Sequence, residues 1–111
     1  MKILALESEV PGVSADRFSE PLLQAEAARV WEMQQDGLIR ELYFRADRRQ
    51  AVLVLECESA EEARRRLGRL PLAREGLIDF EVIPLIAYSG FARLFDGAGP
   101  VPGARDSDRP G

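Results

Sequence analysis

The chain contains no histidine. Histidine is the usual general base near neutral pH and the commonest ligand of transition metals. Its absence rules out Ser-His-Asp and Cys-His nucleophilic catalysis, and with them His-ligated haem, copper, iron and zinc. Cysteine is almost as scarce. Cys57 stands alone, so no intramolecular disulfide forms, and without an imidazole beside it the thiol has little to activate it. No hydrophobic run approaches the roughly 20 residues of a membrane span. The apolar start Met1-Lys2-Ile3-Leu4-Ala5-Leu6 is cut off by Glu7 and Glu9, too soon for a signal peptide. Positive charge is not in surplus either. The net charge is −4, and arginines alternate with acids, as in Glu61-Glu62 ahead of Arg64-Arg65-Arg66. That pattern reads as a solvated helix face and argues against nucleic acid as a partner. Phosphate-cradling glycine loops and nucleophile elbows are missing too. The expectation is a cytoplasmic protein with neither membrane nor nucleic-acid partners. Its chemistry would come from carboxylates, tyrosine, arginine, lysine or a bound cofactor.

What is present points to one α+β domain. A chain of 111 residues with 46% hydrophobic and 31% charged residues has the size and balance of one globular core. Lys2–Ser8 reads as a strand, broken by Pro11-Gly12. Ser14 is a candidate cap for a helix running to Gly37. Pro21 either kinks this helix or splits it into a first turn and a main helix starting near Glu20. Leu38–Arg45 and Ala51–Cys57 read as strands joined by a short polar loop, hence an antiparallel pair. Ser59-Ala60-Glu61-Glu62 is a capping box opening a short amphipathic helix that ends near Gly68. Leu77–Leu85 is the fourth strand, with Ile78, Phe80 and Val82 on one face. Tyr88, Phe91, Leu94 and Phe95 form an aromatic coda able to dock on a core or a partner. Residues 1–95 are thus expected to be the domain. Residues 96–111, with four glycines, three prolines and no aromatic residue, are expected to be a disordered tail.

Leu4-Ala5-Leu6-Glu7-Ser8-Glu9 and Leu53-Val54-Leu55-Glu56-Cys57-Glu58 share the pattern L-x-L-E-x-E, each followed by a helix. Two such halves in tandem compose a ferredoxin-like βαββαβ fold with a four-stranded antiparallel sheet. Two helices cover one face of that sheet. The inner strands carry apolar side chains on both faces, so the second face calls for a second copy of the chain.

The candidate site residues follow from the same periodicities. On a helical wheel Leu22, Leu23, Ala27, Val30 and Met33 share one arc, and Glu26 falls inside it. A carboxylate on a buried stripe is costly unless paired, protonated or facing a polar cavity. Glu26 is therefore either a general acid/base with a raised pKa or one half of a structural ion pair with a strand arginine. On the second strand, alternation groups Ile39, Glu41, Tyr43 and Arg45. The last three are either an anion site, with Arg45 as clamp and Tyr43 as proton donor, or the polar rim of an interface. Trp31 borders the apolar arc of the first helix, as packing or as a ligand platform.

The stretch from Leu22-Leu23 to Glu58-Ser59, with Glu26, Glu32 and Gly37, resembles the muconolactone Δ-isomerase-like family. Leu70-Pro71-Leu72 and Phe80-Glu81-Val82-Ile83-Pro84-Leu85 are similar to that family's L-P-L and I-E-V-x-P-L signatures. The likeness covers most of residues 2–88. It implies a dimeric α+β barrel, extendable to rings of dimers. It also implies proton transfer within a small lactone of aromatic degradation, with no metal and no cofactor. The family pattern has a His and a Trp where this chain has Glu41 and Tyr43, and a shorter stretch than Ala73-Arg74-Glu75-Gly76 after Leu72. The resemblance implies a cofactor-independent isomerase or cyclase acting on a small oxygenated or carboxylated ring. Glu26 and Tyr43 would be catalytic, and Arg45, Glu41 and Trp31 would bind substrate. A dimeric binding module without chemistry and a cofactor-free monooxygenase are the alternatives.

Overall fold

The computed structural model describes residues 1–95; the expected tail at 96–111 lies outside the described residues. Four strands, β1 (Lys2–Glu9), β2 (Ile39–Phe44), β3 (Ala51–Glu56) and β4 (Ile78–Pro84), form one antiparallel sheet in the order β2-β3-β1-β4. Helices α1 (Glu20–Gln35) and α2 (Ala60–Leu67) and a single turn, α3 (Pro71–Arg74), supply the second layer. This is the α+β, ferredoxin-like arrangement that the element order predicts.

Each strand ends within one residue of its predicted limits, but the first helix does not start where Ser14 suggests. Ser14 heads only a 3-10 turn, Ala15–Arg17. Helix α1 is capped separately by Ser19, whose hydroxyl accepts from Leu22 N–H, and Pro21 occupies its first turn, where a missing N–H costs nothing. At the other end Gly37 takes φ +92°, a left-handed turn that glycine enters without strain. The chain then drops directly into β2. Helix α2 has the predicted cap: Glu62 N–H donates to Ser59 Oγ at 3.0 Å, and the Glu62 carboxylate reaches back to Glu58 N–H at 2.9 Å.

Register decides which side chains share a face. Ile3, Ala5, Leu53 and Leu55 meet across β1 and β3 and are buried with Met33, Ala63, Leu67 and Leu70 in an apolar core. Leu4, Leu6, Val52 and Val54 pair on the opposite face, where they are half-buried and no helix lies over them. The two L-x-L-E-x-E segments therefore face opposite ways, since Leu4 sits beside Val54 and Leu53 beside Ala5. Strand β2 corrects another expectation. A bulge between Ile39 and Glu41 interrupts its alternation, so Ile39 pairs with Leu55 on the helix side while Glu41 and Tyr43 pair with Val54 and Val52 on the open side. Ile39 is buried and does not share a face with Glu41.

Candidate functional site

Helix α1 is anchored at two points. Met33, near its C-terminal end, is fully buried in the main core. Leu22, near its start, packs with Val13 and Phe18 against Leu72, Leu77 and Ile78. Between the anchors the apolar arc stays open, and Leu23, Glu26, Ala27 and Val30 border a cleft of about 740 Å³. Its floor is the helix-side face of the sheet, where Ala51, Leu53, Leu42, Phe44, Phe80 and Glu7 project. Leu70 and Leu72 close one side. A mostly apolar cleft of this size with a few polar groups has the character of a small-molecule site.

Glu26 lies on the wall of this cleft. Its Oε1 accepts the backbone N–H of Leu72 at 2.9 Å, and no arginine or lysine pairs with it among the described residues. Glu26 thus faces the cleft without the strand arginine that one of the two sequence readings gave it. Burial pushes its pKa up, the Leu72 amide pulls it part of the way back, and the charge of Glu7 raises it again.

Glu7 is the cleft carboxyl that periodicity missed. Its Oε1 accepts Ala51 N–H at 2.9 Å. Burial raises its pKa first, against the pull of that hydrogen bond, and Glu9 adds to the rise. A signal was available: Ile3, Ala5 and Glu7 alternate onto one face of β1, so a buried Ile3 implies an inward Glu7. The repeat with Leu53–Glu58 concealed it by equating Glu7 with Glu56, which faces the other way. Glu56 binds the Met1 ammonium at the surface, at 2.7 Å.

The remaining predicted residues separate into groups. Trp31, exposed on α1, borders the cleft. Tyr43 also borders it, but the strand register turns its ring to the open face, where its hydroxyl donates to Glu41 Oε1 at 2.9 Å. That bond and the Glu41 charge push the Tyr43 phenol up, which makes it a weaker proton donor. Arg45 does not line the cleft. It grips Asp47 within the hairpin through Nε–Oδ1 at 2.9 Å and Nη2–Oδ2 at 2.6 Å, which holds the Asp47 carboxyl below its usual range. The cation that does line the cleft is Arg49, whose guanidinium stacks over the Phe44 ring at 4.6 Å. Cys57 is half-buried, and its Sγ donates locally to Ser59 O at 3.5 Å. Among the described residues no group of three potential ligands gathers to hold a metal ion, and no helix is long and apolar enough to cross a membrane.

Residues 4–90 match the family described as muconolactone delta-isomerase. None of the curated proteins matches the chain. Among solved structures, the crystal structure of muconolactone isomerase is similar at 23% identity and a TM-score of 0.62, over 80% of this chain and 92% of that one. The 5-chloro-2-hydroxyhydroquinone dehydrochlorinase of Burkholderia phenoliruptrix AC1100, in complex with 2,5-dihydroxybenzoquinone, is similar at 17% identity and a TM-score of 0.55, over 81% of this chain and 98% of that one. At these identities the likeness is one of fold.

Proposed function

The chain belongs to the muconolactone delta-isomerase family, and from that premise we propose that it catalyses a cofactor-independent proton shift on a small oxygenated or carboxylated ring held in the α1–sheet cleft. The observation that carries this reading is Glu26: a carboxyl with a raised pKa, fixed by one backbone amide and unpaired, on the wall of an apolar cleft. A carboxylate so placed is a stronger base than one in water. It removes the proton from a carbon next to a C=C bond conjugated with the lactone carbonyl. The C–H electron pair moves along the double bond toward the carbonyl oxygen, and protonation at the far carbon completes the isomerisation.

Arg49 takes the clamp role for an anionic substituent, held on the Phe44 ring at the cleft edge. Trp31 supplies an aromatic flank. Tyr43 borders the cleft from β2, whereas Glu41 and Arg45 stand outside it, in the hairpin for Arg45 and on the open sheet face for Glu41. That face, with Leu4, Leu6, Val52 and Val54 awaiting a cover, supports pairing with a second copy of the chain, the assembly that the family resemblance implies.

Muconolactone itself is the first substrate to try, followed by proton NMR. The expected result is isomerisation by the wild type and a loss of about 10²-fold or more in kcat for Glu26→Gln. Saturable binding of muconolactone with no turnover would defeat the enzyme reading in favour of a ligand-binding module.

A further inference from the structure

The proton shift needs a donor at the far carbon as well as an acceptor at the near one, and Glu26 accounts for only one of them. Glu7 faces the same opening from a different element. It projects from the sheet floor on the side of Ile3 and Ala5, while Glu26 projects from α1. Each carboxyl is held by a single backbone amide on one oxygen, Ala51 N–H for Glu7 and Leu72 N–H for Glu26, both at 2.9 Å. Neither forms an ion pair among the described residues. We propose that Glu7 is the second proton-transfer group of the cleft, acting across the bound ring as the acid to Glu26's base.

Two carboxyls in one poorly solvated opening resist being ionised together, so the first charge favours keeping the proton on the second. The other ionisable groups that border the opening are Glu9 beside Glu7 on β1, Tyr43 on β2 and Arg49 from the hairpin. Glu9 reinforces the rise at Glu7. Arg49 is engaged with Phe44. The near C–H bond breaks as ionised Glu26 takes its proton, and the electron pair shifts along the unsaturated system. The O–H bond of protonated Glu7 then breaks to form the new C–H bond at the far carbon. The substrate leaves as its isomer, with one proton gained on Glu26 and one lost from Glu7. The pair resets when Glu26 releases a proton to solvent and Glu7 takes one up.

This role rests on the isomerase reading, so the test separates the two. The full chain and its Glu7→Gln and Glu7→Asp variants are assayed with muconolactone, with thermal melting as the control for folding. Carboxyl titrations are followed by NMR of protein labelled with ¹³C at the glutamate side-chain carboxyl. The proposal expects Glu7→Gln to lower kcat about 10²-fold or more with KM little changed, and Glu7→Asp to recover part of the rate. It also expects Glu26→Gln to lower the titration midpoint of Glu7, because the charge that keeps the proton on Glu7 is gone. Wild-type turnover with an undiminished rate in a folded Glu7→Gln variant overturns the proposal and leaves the isomerase reading standing. So does a Glu7 midpoint indifferent to Glu26→Gln. A wild type inert toward muconolactone overturns the isomerase reading, and Glu7's proton-transfer role with it.

Discussion

Replacing Glu26 with glutamine removes a titrating proton but keeps an oxygen for the Leu72 N–H, so its effect on stability is mainly one of charge. The Glu26 pKa is raised in the folded chain above the ordinary 4.5. Below that ordinary value the group is protonated whether folded or unfolded and adds no pH dependence. As pH rises, the unfolded chain releases its proton first, and the folded state loses stability until pH passes the folded pKa. Glu26→Gln should therefore gain stability relative to wild type as pH rises from about 4.5 through the folded pKa, as measured by urea denaturation at several pH values. Glu56 and Asp47, with lowered pKa values, slope the opposite way, but equally in both proteins, so they cancel in the difference. A gap that stays flat with pH would mean that Glu26 is solvated. Glu26 was legible because one charge interrupts a stripe read at helical spacing. Glu7 and Arg49 were not. Strand periodicity names a face without saying which face is covered, and the hairpin arginines differ only in whether a neighbour such as Asp47 engages them.

Among the elements, α2 is the one most fully written in the sequence. The Ser59 hydroxyl and the Glu62 carboxylate satisfy two amide donors at its start, while Ala63 and Leu67 are buried beneath it. Ser59→Ala should cost about 1 kcal/mol by chemical denaturation, with the denaturant dependence unchanged. A cost near zero would mean that packing of Leu67 alone holds the helix. The single turn α3 was not foreseen. Leu70-Pro71-Leu72 carries no helical period, and a four-residue turn is decided by what it packs on. Here Leu70 and Leu72 are buried in the two clusters, and the turn presents the Leu72 amide to Glu26. The placement of α1 was only half legible. Pro21 allowed either a kink or a fresh start, and the cap at Ser19 chose the fresh start.

For the whole molecule, the sheet has one face closed by helices and one face of half-buried apolar side chains. Neighbouring residues on β3 report on the two faces separately. Val54→Asp places a charge on the open face and should leave the chain folded but lower its mass by light scattering from dimer or larger to monomer. Leu53→Asp places the charge in the core and should unfold the chain, since a buried unpaired carboxylate has no compensation there. A Val54→Asp variant whose mass matches the wild type would remove the case for a second copy on that face. The antiparallel sheet and element order were legible because each strand has its own hydrophobic signature. The phase of β2 was not, because one extra residue reverses it. Arg40 is that residue, and its guanidinium folds back onto Gly37 O at 2.6 Å. A strand shortened by deleting Arg40 would run from Ile39 to Glu41 in regular alternation, with Ile39, Leu42 and Phe44 still inward and Glu41 and Tyr43 still outward. An alanine inserted after Leu42 would instead turn Tyr43 inward and Phe44 outward. Length variation in this strand is therefore asymmetric: the chain should tolerate losing a residue here, with a melting temperature within a few degrees of wild type, and should lose its cleft on gaining one.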